Sequence, residues 1–361
     1  MFLYYTAQNL FFAELLHKLV YIEDAPYFIF PIFIPILLWL ISKNIFKKTS
    51  GALVSTTILL LSPWFWYLVV AHSLYIFLFF LILTVIYGVT LVQSEQLVIG
   101  NVLVIIAGVT AIYTSSILFV LIPLILLILL ASKIVNFKSI RISLVCLAIL
   151  ATPLLFFIDK NKSGFKNSLS NQAMIFEDPS LLNSINKFQG AATEKGFKKL
   201  ARISENKYIF FSEYLGFKYI TQFVPVNFFT PQYKLLGFSF SPPIFVGLAI
   251  PFTYGLYLAL SKKGLRKIIY ISTILAIPSI MAHDQVSLNR LILFSPVVIL
   301  LISYGLISLY NKRSNIIARN FLVLSLILVV FQLFVTLYDV KYREEKRFAA
   351  YFGKKYELIE P

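Results

Sequence analysis

The sequence predicts an all-α, polytopic membrane protein of about ten transmembrane helices with one large extracytoplasmic loop region. Three observations carry that prediction. The first is composition: 59% of residues are hydrophobic and 13% charged, against about 45–50% and about 25% in soluble domains. The second is that the apolar residues are blocked into runs. "YFIFPIFIPILLWLIS", "SLYIFLFFLILTVIYGVTLV" and "FLVLSLILVVFQLFVTLY" approach or reach the roughly 20 residues that cross a hydrocarbon core. Lipid offers the backbone no hydrogen-bond partner, so such runs satisfy their own N–H and C=O groups as helices. The third is charge alternation. The connections "SKNIFKKTS", "QSEQ", "ASKIVNFKSIR", "SKKGLRK" and "NKRSNIIAR" carry 13 Lys and Arg and a single acid, Glu95. Basic short loops mark the cytoplasmic side.

Taken in order, the spans fall at 26–42, 51–71, 73–92, 97–113, 115–132 and 142–158, then 242–260, 268–282, 290–310 and 320–338. The chain divides into residues 1–158 (an interfacial helix plus the first spans), 159–241 (the extracytoplasmic region), 242–338 (the last spans) and 339–361 (an extracytoplasmic tail). "MFLYYTAQNLFFAELLHKLVYIEDAP" lacks a basic leader and a small-residue cleavage site. Its polar positions Gln8, Glu14 and His17 predict an amphipathic helix on the outer surface. Within 159–241, Asp178-Pro179 supplies a cap and first turn for a helix. "NKYIFFSEYLGFKYITQFVPVNFF" is aromatic-rich and broken by Pro and Gly, the pattern of a segment lying on the membrane surface. No internal repeat or low-complexity segment stands out. The whole reads as a multi-pass protein of the cytoplasmic membrane.

The net charge of +16 does not mark a nucleic-acid partner, because the basic residues sit mainly in loops between spans, where they report orientation. The lone cysteine, Cys146, lies in an apolar run and excludes an intrachain disulfide. Phosphate-binding glycine loops, paired cysteines, H-E-x-x-H and G-x-S-x-G are all missing, and three scattered histidines have no metal-ligand spacing. Nothing in the sequence requires a divalent metal or another cofactor. No carboxylate sits mid-span, which argues against an ion pathway.

Two stretches carry chemistry. "MAHDQVSLNR", residues 281–290, puts His283, Asp284 and Arg290 at the lip of a hydrophobic run. Arg290 either snorkels from a helix end or grips a phosphate through paired N–H donors, with Asp284 orienting it and His283 adding a donor. "LLLSPWFWYLVVAHSLYIF" places Pro63 between Ser62 and Trp64, predicting a bend near the outer face. Trp64, Trp66 and Tyr67 read either as an interfacial aromatic belt or, with His72, as the mouth of a cavity.

The order of these motifs resembles the bacterial membrane glycosyltransferases of the GT-C superfamily, similar to dolichyl-phosphate-mannose protein mannosyltransferases and aminoarabinose lipid A transferases. The resemblance runs from an outer helix beginning "LYY" through "LLLSPWFWYL", a "YTSS" turn, "IFEDPSLLNSIN" and "NKYIFFSEYLGFKYITQFVPVNFF" to "SLNRLILFSPVVILLISYGL". It implies a polyprenyl-phosphate sugar donor, a lipid, glycan or protein acceptor, action at the outer face among membrane lipids, and a lipid-phosphate contact at Arg290. It also implies a catalytic Asp or Asp-Glu in the first outer loop, ahead of the "LYY" helix and thus ahead of Met1. Glu23 and Asp24 follow that helix and do not take the role. After "SPW" the related pattern continues with His and then Ser-Arg, where this chain has Phe65 and Val69-Val70. An O-antigen polymerase or ligase shares the span number and outer loop but favours several arginines in that loop, which here holds Arg202 alone. A transporter would show broken mid-membrane helices and inverted repeats.

Overall fold

A computed structural model describes residues 25–70, 74–114, 116–131, 136–160, 183, 186–187, 190–191, 194, 207–222, 224–230, 242–262, 274–280 and 292–352. Among these residues every regular element is helical and no strand is present. Six helices are long and apolar enough to cross a membrane: Ile29–Phe46, Tyr75–Gln93, Leu97–Thr114, Phe137–Leu154, Ile292–Asn311 and Ile316–Tyr338. The protein is a helical membrane protein.

The helices are α1 (Ala25–Phe46), α2 (Thr49–Leu61), α3 (Pro63–Val70), α4 (Leu74–Gln93), α5 (Leu97–Thr114), α6 (Ser116–Ala131) and α7 (Phe137–Lys160). They continue with α8 (Lys207–Gln222), α9 (Val226–Phe229), α10 (Ala249–Ser261), α11 (Ile277–Ile280), α12 (Ser295–Asn311) and α13 (Ile316–Phe352). Short 3₁₀ turns at Val246–Leu248 and Ile292–Phe294 lead into α10 and α12.

The expected span 51–71 is two helices. Ser62 adopts an extended backbone (φ −71°, ψ 118°) and ends α2, because a residue before proline is pushed out of the helical region. Pro63 then opens α3, where its missing N–H leaves no bond unmade. At 13 residues each, α2 and α10 are short for a span, as is the 16-residue α6. Of the expected span 268–282 only 274–280 are described, and the N-terminal helix read at 1–20 lies outside the described residues. Helix α13 runs 37 residues without a break, about 55 Å at 1.5 Å per residue, so it extends well past a hydrocarbon core of about 30 Å.

Packing follows chain order at first, with α1 against α2 and α4, and α5 against α4, α6 and α7. The C-terminal helices then close on the N-terminal ones: α12 packs on α2, α10 and α13, and the turn at Ile292–Phe294 lies on α4. Because lipid is as apolar as leucine, helices in a bilayer associate through close packing and interhelical hydrogen bonds. Both devices appear. Ser55 Oγ and Ser303 Oγ are 2.9 Å apart across α2 and α12, both side chains fully buried. Asn101 Nδ2 on α5 donates to Ser139 O of α7 at 3.0 Å, and Ser143 Oγ donates back to Asn101 Oδ1 at 2.5 Å. Helices α10 and α12 touch backbone to backbone. A Cβ on Gly255 would run into the Leu301 carbonyl, and one on Gly305 into that of Pro251.

The two ends of the bundle differ. Asn44–Thr90, Phe46–Tyr304 and Lys262–Tyr304 contacts gather the α1–α2 turn, the end of α4 and the ends of α10 and α12 at one end. That is the end of the basic connections. The Ser62–Trp64 turn, α9 and Phe294 meet at the other.

Candidate functional site at the end opposite the basic loops

The carbonyl of Pro243 is the centre of this end. It accepts from the Ser62 hydroxyl at 2.8 Å and from the Trp64 backbone N–H at 3.2 Å. These are the groups that the α2–α3 break sets free: the hydroxyl of the residue ending α2 and an N–H in the first turn of α3, which has no partner within its own helix. One residue on, the Ile244 N–H donates to Phe228 O at 2.9 Å, tying the same segment to α9. Phe228 is fully buried and its ring meets Trp64 at 6.4 Å, Phe294 at 5.8 Å and Phe252 at 6.3 Å between centroids. Four distant stretches of chain are thereby sutured into one aromatic hub: the "SPW" turn, the "VPVNFF" segment, the "SPPIF" segment and the "LILF" that follows "MAHDQVSLNR" in sequence.

Trp64 and Phe65 are each 1% exposed, so they belong to the core and not to an interfacial belt. Trp66 does face outward, 48% exposed, with its Nε1–H donating to Leu60 O at 2.6 Å. Two buried polar atoms here have no hydrogen-bond partner among the described residues, Trp64 Nε1 and Ser295 Oγ. Such orphans each cost about 1–3 kcal/mol, and native structures concentrate them where a strain, a ligand or a water has a purpose.

Helix α8 adds a feature that sequence reading missed. Its apolar residues Phe217 and Ile220 point outward, 61% and 67% exposed, while Lys218 and Gln222 are buried at 1% and 0%. The inward side thus holds Lys218 and Gln222 beside the apolar Leu215 and Tyr219, and the outward side holds Phe217 and Ile220 beside the exposed Glu213. Lys218 Nζ sits 5.2 Å above the Tyr214 ring, and Gln222 Nε2 donates to Lys218 O at 3.0 Å. Helix α8 packs on α11, which ends at Ile280 where "MAHDQVSLNR" begins. The legible signal was the four-residue spacing of Tyr214, Lys218 and Gln222, which puts all three on one helical face.

The four residues singled out from sequence, His72, His283, Asp284 and Arg290, lie outside the described residues. Phe294 stands four residues after Arg290, and Val70 two before His72. Among the described residues no group of three or more His, Cys, Asp or Glu forms a metal site. Comparison with family models, with curated proteins and with solved structures finds no match to this chain.

Proposed function

We propose that the protein is an integral membrane glycosyltransferase that takes a sugar from a polyprenyl-phosphate donor at the end of the bundle opposite its basic loops. The observation that carries the reading is the hub. The "SPW" turn and the "LILF" segment, which flank His72 and Arg290 in sequence, share one buried ring cluster through Phe228. The turn that opens the helix leading in sequence to His72 and the segment that follows Arg290 therefore belong to the same packed core, beside a helix that buries a lysine.

The chemistry follows. As the glycosidic bond breaks, the departing polyprenyl phosphate accumulates charge, and positioned cations lower that barrier electrostatically. Arg290 is the paired donor toward the phosphate, Asp284 orients it, and His283 and His72 add donors. A carboxylate base toward the acceptor hydroxyl completes such a reaction; this role is assigned to none of the residues named. By the same reading the short helices α2, α6 and α10 join the six long ones and the 268–282 stretch as about ten spans. The basic connections then face the cytoplasm, and the donor site opens to the outer face of the cytoplasmic membrane.

The test is equilibrium binding of a polyprenyl-phosphate sugar to purified protein, wild type against Arg290→Lys and Arg290→Ala. The lysine keeps the charge and loses the fork, so affinity is expected to fall roughly tenfold, and further for alanine. Equal affinity in all three sinks the phosphate role.

A further inference from the structure

At the basic end, α10 and α12 make the same arrangement twice. Thr253-Tyr254-Gly255-Leu256 and Ser303-Tyr304-Gly305-Leu306 match, and each tyrosine is followed eight residues later by a lysine, Lys262 and Lys312. This short repeat went unnoticed in the run of sequence; the structure reveals it because the two copies cross. The helices run parallel and meet at Gly255 and Gly305, where neither backbone leaves room for a Cβ. Each lysine reaches over to the other helix. Lys262 Nζ lies 3.2 Å from Tyr304 Oη and 5.7 Å from that ring's centroid, and Lys312 Nζ lies 5.9 Å from the Tyr254 centroid. Phe46 stacks on Tyr304 at 6.1 Å and 14°, and Arg313 covers Tyr310 at 4.2 Å.

Among the described residues no acidic side chain neutralises the charge here. The turns at 42–50, 261–267 and 311–319 contain no Asp or Glu, and Glu95 of the α4–α5 turn makes no ion pair with either lysine. The C-terminal dipoles of α10 and α12 offset only about half a charge each. Two exposed, aromatic-braced ammonium groups on helix ends held together by glycine contact have no counter-anion among the described residues. Their position at a membrane surface provides one class of anion at high density.

We infer that Lys262 and Lys312 form a site for one anionic phospholipid headgroup, its phosphate received between the crossed lysines and its glycerol end against Tyr254 and Tyr304. Cationic side chains at such a surface contribute about fivefold each to anionic-lipid affinity. The site lies at the opposite end from the proposed donor site and does not depend on it.

The experiment titrates purified full-length protein in detergent with short-chain phosphatidylglycerol, phosphatidylcholine or inorganic phosphate, reading bound lipid by native mass spectrometry. Saturable one-to-one binding of phosphatidylglycerol is expected, weakened roughly thirtyfold in the Lys262→Gln/Lys312→Gln double variant. Lys138→Gln/Arg141→Gln, which removes the same charge from the start of α7, is expected to change it less than about threefold. Equal weakening by both doubles, or none by the first, overturns the site in favour of diffuse surface charge. Displacement of the lipid by an equal concentration of inorganic phosphate overturns the lipid as its occupant.

Discussion

The two ends of this bundle are built from similar residues used in opposite ways. At the basic end aromatic rings are the outer layer: Tyr310 is 53% exposed and the lysines lie over rings in reach of water and headgroups. At the far end the rings are the core, with Phe228, Phe294 and Trp64 no more than 1% exposed. Both ends hold buried polar atoms without partners among the described residues, Ser42 Oγ at the basic end among them. The ammonium group of Lys262 at the basic end is satisfied by a tyrosine hydroxyl, whereas Trp64 Nε1 and Ser295 Oγ at the far end are sealed without partners among the described residues. An end that only meets a lipid surface can leave its charges outside. Under the proposed function, the far end would hold a charged ligand against a dry core, where Trp64 Nε1 and Ser295 Oγ have no partner among the described residues.

The largest effect is expected where the α10–α12 pair would be forced apart. Gly255→Val places side-chain atoms onto the Leu301 carbonyl, and neither backbone can give way without losing the crossing. Overpacking of this kind costs about 1–3 kcal/mol even where side chains can adjust; here the obstacle is backbone, so monodisperse folded protein is expected to be lost on size-exclusion chromatography. A variant that elutes and melts like wild type would show that the two lysines are not held together by this contact, and the crossed arrangement would lose its basis.

Phe228→Ala comes next. It removes the ring shared by Trp64, Phe252, Phe229 and Phe294, and core Phe→Ala changes cost about 3–5 kcal/mol. The expected readout is a lower melting temperature with protease sensitivity rising at the far end first. Uniform loosening of both ends would mean that the hub is not a unit separate from the basic end.

The hub was illegible in the sequence for a physical reason. Hydropathy records that Trp64, Phe228 and Phe294 are apolar, but a belt residue and a core residue have the same composition. What separates them is a partner far along the chain: Trp64 meets Phe228, 164 residues on, beside the Pro243 carbonyl that holds Ser62 and Trp64. The long apolar helices were legible because lipid imposes length and internal hydrogen bonding on any run that crosses. The break at Ser62-Pro63 was half legible: proline announced a bend, yet the chain on either side is equally apolar, so nothing marked the point where one span becomes two helices. Lys218 was missed because a lone lysine among aromatics reads as a wet position, and only the packing of α8 on its neighbours shows this one buried.

A smaller effect tests the middle of the bundle, which belongs to neither end. Ser303→Ala removes the acceptor of the α2–α12 hydrogen bond from Ser55, and the Ser55 hydroxyl then donates to Gly51 O, 2.9 Å away. Interhelical hydrogen bonds in membranes average about 0.6 kcal/mol, so a melting shift of only a degree or two is expected. A shift as large as that of Phe228→Ala would move the structural centre from the aromatic hub to this polar contact.

The smallest stability effect is expected at the atom that best distinguishes the ends. Trp64→Phe keeps an aromatic ring against Phe228 but deletes the orphaned Nε1–H. Losing part of the indole gives up apolar contact, at about 25 cal/mol per Å². Removing a buried donor without an acceptor returns about 1–3 kcal/mol. The two nearly offset, and the melting temperature is expected to stay within a few degrees of wild type. Binding of a polyprenyl-phosphate sugar should respond differently, falling roughly tenfold if the indole N–H is held in reserve for the donor. Arg313→Gln at the basic end is the control, expected to leave donor affinity unchanged. If Trp64→Phe melts well below wild type, Nε1 has a structural partner and is not held in reserve for a ligand. If it melts normally and binds donor normally, the orphaned donor faces no ligand, and the contrast between the two ends reduces to packing alone.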